Sequence, residues 1–167
     1  MASSKGSPPK LALVTALSLI MLGGCASQGM PMNESQLRGF ATNYTAAWCS
    51  QNAGRVAGFF SSSGSLTINN GTPSVGRTAI TAAAQGFMTA FPDMVVTMDG
   101  LNLDGSHAVY RWTLNGTNSG PGGTGNPVRI SGHEEWTIGA DGLIAESKGH
   151  FDESDYQRQL TGSGRGG

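Results

Sequence analysis

Apolar positions recur at helical spacing in two long stretches of the chain. Leu37, Phe40, Ala41, Tyr44 and Trp48 share one face behind a cap at Asn33 or Ser35, the clearest amphipathic helix in the sequence. Ile80, Ala84, Phe87, Met88 and Phe91 form a second such face, capped by Thr78 after Gly76-Arg77 and stopped by Pro92. Between them, Val56, Phe59 and Phe60 predict a shorter helix ahead of the serine run 61–63. Residues 65–69 (SLTIN) then predict a short strand before the Asn70-Gly71 turn. Beyond Pro92 the period changes. Residues 94–99, 106–115, 128–139 and 143–152 alternate or are β-branched, with Asp104-Gly105 and Asp141-Gly142 as tight-turn signals. Residues 116–127 (GTNSGPGGTGNP) hold too much glycine and proline for either regular state, and 155–160 read as a last helical turn. The order helix, helix, strand, helix, meander predicts an α+β fold: a curved antiparallel sheet with the helices gathered on its concave face. Sufficient curvature opens a pocket beneath the helices.

Period two then assigns faces. In 128–139, Ile130, Gly132, Glu134, Trp136 and Ile138 share one side, and Ser131, His133, Glu135 and Thr137 the other. Glu134 is thereby set among apolar side chains, where desolvation disfavours its charged form and suits it to acid/base work near neutral pH. The plainer alternative is a structural pairing with Arg111 or Lys148. On the final strand, Glu146, Lys148, His150 and Asp152 alternate. His150 and Asp152 would stand on one face about 7 Å apart, as an acid/base pair or as part of a solvated face. Tyr44, Trp48 and Asn52 project from the first helix toward the sheet, and Tyr110 and Trp112 share a strand face. Each aromatic is either core or the wall of a pocket. His107 and His133 are too scattered for a zinc pattern, and no metal site or cofactor is expected.

Composition changes this picture in two respects. At 167 residues the chain is one domain, and a net charge of -1 excludes a basic nucleic-acid footprint. The amino terminus is a targeting segment rather than structure. Lys5 and Lys10 precede an apolar run, residues 11–22 (LALVTALSLIML), and Leu22-Gly23-Gly24-Cys25 follows. This resembles a bacterial lipoprotein signal and implies cleavage before Cys25, acylation there and anchoring to a membrane at the cell envelope. An ordinary secretory signal cleaved near Ala26 is the alternative. Cys49 is the only other cysteine, so lipidation leaves it unpaired, whereas an oxidised Cys25–Cys49 bridge is the competing use. The expected organisation is a signal peptide at 1–24, a tether at 25–33, a domain at 34–161 and a disordered tail at 162–167.

Five stretches carry a further resemblance. They are Tyr44 to Trp48 (YTAAW), Gly76 to Ile80 (GRTAI), Ala90-Phe91-Pro92-Asp93, residues 112–121 (WTLNGTNSGP), and residues 141–146 (DGLIAE) with Phe151-Asp152 and Gln159-Leu160. In order and spacing the chain resembles the SnoaL-like polyketide cyclase branch of the nuclear-transport-factor-2-like, or ketosteroid-isomerase-like, superfamily. The resemblance implies a cone-shaped domain whose concave sheet face lines a pocket for a small, largely apolar molecule. It sets Asp152 at the aspartate that closes the family's last strand. With His150 and Glu134 this residue completes the candidate catalytic set, and Tyr44, Trp48, Asn52, Met88, Phe91, Tyr110, Trp112, Asn118 and Trp136 the candidate ligand wall. The chain departs from the family where the loop commonly reads Gly-Thr-His-Thr-Gly, since Asn118 replaces the histidine. It also lacks an acid after Trp48, at Ser50, Gln51 and Asn52, and has neither Trp nor Tyr near Lys148 or His150, where an aromatic is common in the last strand. A non-catalytic binding domain is therefore expected, with a cofactor-free isomerase, cyclase or hydratase as the alternative. Sheet-to-sheet dimers are common in the superfamily, so a homodimer is the other partner the resemblance suggests.

Overall fold

Asn33 opens the first helix, α1 (Glu34–Trp48), with a reciprocal cap: its side chain accepts from the Gln36 amide, and the Gln36 side chain accepts from the Asn33 amide. The architecture is that of a computed structural model, which describes residues 32–162. The signal peptide, the Cys25 lipidation site, most of the tether and most of the tail lie outside the described residues. Leu37, Ala41, Tyr44 and Ala47 are the buried face of α1. A short helix, α2 (Ala53–Ala57), follows, and then β1 (Phe60–Ile68) and β2 (Ser74–Val75). Next come α3 (Gly76–Ala90), β3 (Val95–Asp104), β4 (His107–Thr117), β5 (Pro127–Ile138), β6 (Ile144–Phe151) and α4 (Glu153–Thr161).

The six strands form one curled sheet in the order β2-β1-β6-β5-β4-β3. Strands β3 to β6 are the expected antiparallel meander. The sheet is nevertheless mixed, because β1 runs parallel to β6. The serine run 61–63 belongs to β1, and Phe60 begins that strand rather than ending a helix. A register shift between Phe60 and Ser65 accounts for its lack of clean alternation, since an irregularity breaks the period of two. Strand β2 is a two-residue edge that the pattern does not announce. Helix α3 starts at Gly76, two residues before the expected cap, so Thr78 lies inside its first turn.

Helix α1 packs over β3 and α2, α3 over β1 and α2, and α4 against β5. The core between helices and sheet centres on Tyr44, Tyr110, Trp136, Phe60 and Ile80. Tyr110 stacks on Trp136 at 4.8 Å, and Tyr44 meets Trp136 edge-on at 5.1 Å. Such aromatic pairs contribute about 0.5–1.5 kcal/mol beyond burial. Cys49, a free thiol, donates to the Val96 carbonyl and accepts the Val96 amide, tying the end of α1 to β3.

Candidate ligand cavity

Strand β5 is paired on both sides, to β4 and to β6, with an unbroken register on the β4 side. Alternation therefore persists along it. Val128, Ile130, Glu134 and Trp136 are buried, and Glu135 is exposed. Glu134 is only 6% exposed, and among the described residues no cation pairs with it. Its Oε2 accepts from Ser147 Oγ at 2.7 Å, Trp136 Nε1 at 2.8 Å and the Tyr44 hydroxyl at 3.0 Å. Its Oε1 receives only a long contact from the same Tyr44 hydroxyl, at 3.3 Å. One carboxyl oxygen is thus saturated and the other keeps acceptor capacity.

Burial raises the Glu134 carboxyl above the usual carboxylate range, and the three donors oppose that shift without cancelling it. Burial and the neighbouring Glu134 charge push the Tyr44 hydroxyl well above the ordinary phenol value, so it remains a donor. Tyr110 is raised as well, chiefly by burial, with its hydroxyl 2.8 Å from Thr45 Oγ1.

Above Glu134 lies a cavity of about 60 Å³. Trp48 and Phe87 wall it from the helices, and Tyr110, Trp112, Leu114 and Phe151 from the sheet. Glu134 is the only charged residue of the lining. The space exists because Gly149, directly opposite Glu134 in the β5/β6 register, has no side chain to fill it. A second glycine admits the indole: a Cβ on Gly132, the cross-strand partner of Trp112, would stand 2.7 Å from that ring. Trp112 Nε1 is the one buried side-chain donor without a hydrogen-bond partner among the described residues. A buried donor left unpaired calls for an explanation, and an acceptor that the fold itself does not supply is one. The site therefore offers one carboxyl with spare acceptor capacity inside an aromatic enclosure, and one residue of that enclosure, Trp112, carries an unpaired N–H.

The predicted residues divide sharply. Glu134, Trp48, Tyr110 and Trp112 meet in the cavity, while Tyr44 and Trp136 hold Glu134 from beneath. His150 and Asp152 do not join them. His150 stands on the opposite sheet face, stacked on His133 at 5.0 Å, because β6 turns Ser147, Gly149 and Phe151 inward. Asp152 has left the strand and caps α4, accepting from the Asp155 amide at 2.9 Å. Asn52 caps α2 in the same way. Asn118 clamps the 116–127 loop, its amide donating to the Ala90 carbonyl and its oxygen accepting from the Thr124 amide. Met88 and Phe91 are buried core and do not line the cavity. Sequence reasoning missed Ser147 and Gly149. Residues equidistant from the Asp141-Gly142 turn face each other across a hairpin, which pairs Trp136 with Ser147 and Glu134 with Gly149.

The family profile described as SnoaL-like polyketide cyclase matches residues 39–160. Among solved structures, TsrD from Streptomyces laurentii is similar at 22% identity and a TM-score of 0.67, over 77% of this chain and 96% of that one. A protein of ketosteroid-isomerase-like fold from Catenulispora acidiphila, in complex with trimethylamine, aligns at 17% identity and a TM-score of 0.65, over 73% and 92%. The epoxide hydrolase/cyclase-like enzyme SalBIII, from pyran ring formation in salinomycin, aligns at 16% identity and a TM-score of 0.64, over 74% and 96%. At these identities the structures establish a shared fold. No curated protein matches the chain.

Proposed function

The chain belongs to the SnoaL-like polyketide cyclase family, and we propose that it binds a small, largely apolar molecule carrying one polar group, held between Glu134 and Trp112. The observation that supports this reading is a single half-satisfied carboxyl in an otherwise apolar aromatic cavity of about 60 Å³. That volume exceeds what one water needs, about 10–15 Å³, and suits a compact ligand. A ligand acceptor, such as a carbonyl oxygen, takes the Trp112 N–H, and a donor or acidic C–H faces Glu134 Oε1. Titrating small cyclic ketones and small alkylamines, trimethylamine among them, by calorimetry tests the reading. Ketone binding should weaken about tenfold in Trp112→Phe, the ~1.4 kcal/mol expected of one buried hydrogen bond. Amine binding would instead depend on Glu134→Gln and spare Trp112→Phe. No binding by either class at millimolar concentration would refute the proposal.

A second reading is favoured by the upward shift and open Oε1 of Glu134: proton transfer to and from the bound molecule. Glu134 takes a proton from carbon α to a carbonyl while Trp112 donates to the developing oxyanion. Deuterium uptake from D₂O into a bound ketone, abolished by Glu134→Gln, would support it; uptake equal to the uncatalysed rate would reject it.

We also propose export and lipid anchoring through Cys25. Support comes from the basic and apolar run ahead of Leu22-Gly23-Gly24-Cys25. An acylated Cys25 in mass spectra of the cell-associated protein is the expected result, and an unmodified one would overturn it.

A further inference from the structure

The outer face of the same two strands carries a second constellation that the cavity does not use. The β5/β6 register sets His133 directly opposite His150, and Glu135 lies two residues along β5 on the same face. The two imidazoles stack at 5.0 Å with planes 28° apart, and His133 Nε2 lies 3.8 Å from Glu135 Oε1. One ligand atom from each of the three residues falls within 4.8 Å of the others. From this juxtaposition we propose that His133, His150 and Glu135 form a binding site for a divalent transition-metal ion of the zinc, nickel or copper type.

Imidazole and carboxylate together suit these ions, with metal–ligand distances of about 2.0–2.2 Å. Ligand atoms around such an ion stand roughly 3.4 Å apart, so side-chain rotations of about 1 Å close the site without moving the strands. The neighbouring cations are held away. Arg111, across from His133 on β4, donates to Asn102 Oδ1 at 2.9 Å, and Lys148, across from Glu135 on β6, lies 3.3 Å from Glu146. Glu135 is left with His133 as its partner. A shallow hollow beside the histidines, bordered by Asn69, Ser131 and Glu153, gives an ion access and leaves coordination positions for water or a second ligand.

The full chain, purified without a polyhistidine tag and stripped with EDTA, should bind one equivalent of Zn²⁺ in a calorimetric titration. His133→Ala and His150→Ala should each weaken binding about tenfold or more, since even residues behind the ligands are worth 10–100-fold. Glu135→Gln should weaken it less, while His107→Ala and Cys49→Ser should leave it unchanged. Cu²⁺ bound to the unaltered chain should show coupling to two imidazole nitrogens in its electron paramagnetic resonance spectrum, a reading that needs no variant. Affinity retained within about threefold in both histidine variants, loss of binding in Cys49→Ser, or a copper spectrum without imidazole coupling would each overturn the proposal.

Discussion

Glu134 and Glu135 are chain neighbours on one strand and occupy opposite worlds. The first is buried, bonded to Tyr44, Trp136 and Ser147, and raised above the usual carboxylate range; the second is exposed beside His133. The same division runs through β6, where Ser147 and Gly149 face inward and Lys148 and His150 face out. A strand makes this separation with one residue of translation, because its side-chain period is two. Two chemistries therefore sit back to back. Inside, a lone carboxyl is kept from water; outside, imidazoles and charges remain exchangeable with it.

The largest expected difference between the faces comes from truncation. Glu134→Ala leaves three buried donors without their acceptor, at about 1–3 kcal/mol each before relaxation. A net loss of about 3 kcal/mol or more is expected in urea denaturation, whereas Glu135→Ala should stay within about 0.5 kcal/mol. Equal losses would mean that the three donors find other partners.

The inner face also depends on missing side chains. A Cβ on Gly132 would stand 2.3 Å from the His150 carbonyl and 2.7 Å from the Trp112 ring. Backbone cannot yield as a flexible side chain can, so Gly132→Ala should cost about 1–3 kcal/mol and expose Trp112 to solvent. A melting temperature unchanged alongside unaltered Trp fluorescence would show that the β5/β6 pair relaxes more freely than its register suggests.

How much of this was legible follows from where alternation survives. Strand β5 is paired on both sides, so its pattern reports faces directly and sets Glu134 beside Trp136 before any coordinates. The pattern of β6 has polar residues on both sides: Ser147 and Gly149 inside are no more apolar by type than Glu146 and His150 outside. Its direction is decided by packing, which a single strand does not record. Asp152 carried a local signal that the strand reading overrode, since an aspartate directly before Glu153-Ser154-Asp155 is a helix start. The parallel β1/β6 pairing joins segments far apart in the chain, and local pattern contains no term for it. The His133–His150 pair escaped a linear reading for a similar reason: distance along the chain hides a cross-strand neighbour that the hairpin register creates.

A subtler contrast is the response to pH. The folded-state value of Glu134 lies above its unfolded value, so the protonated form is favoured in the fold. Its contribution is fully present below the unfolded value, about 4.3, and is lost as pH rises through the folded one. Glu134→Gln keeps an acceptor for the three donors and removes the titration. The stability difference between variant and parent should therefore shift toward the variant as pH rises through that window, by at most about 1.4 kcal/mol per pH unit, and then level off. Denaturation midpoints that run parallel across pH 4 to 8 would contradict a buried ionisation, and Glu135→Gln supplies the outer-face control.

The smallest effect on stability tests the cavity most directly. A Cβ on Gly149 would lie 3.6 Å from Glu134 Cγ and 3.6 Å from the Thr67 carbonyl, both ordinary van der Waals contacts, and its backbone needs no left-handed conformation. Gly149→Ala should therefore fold well, and the loss of unfolded-state freedom favours it by about 0.4–1 kcal/mol. The added methyl stands over the carboxyl that any ligand must reach. Stability should hold or rise slightly while affinity for a cavity ligand falls, and zinc affinity on the outer face should not change. A Gly149→Ala variant that binds the same small molecules as tightly as the parent would place their site elsewhere in the fold, and the pairing of an enclosed carboxyl with a functional cavity would fail even though the two faces remained as different as they are.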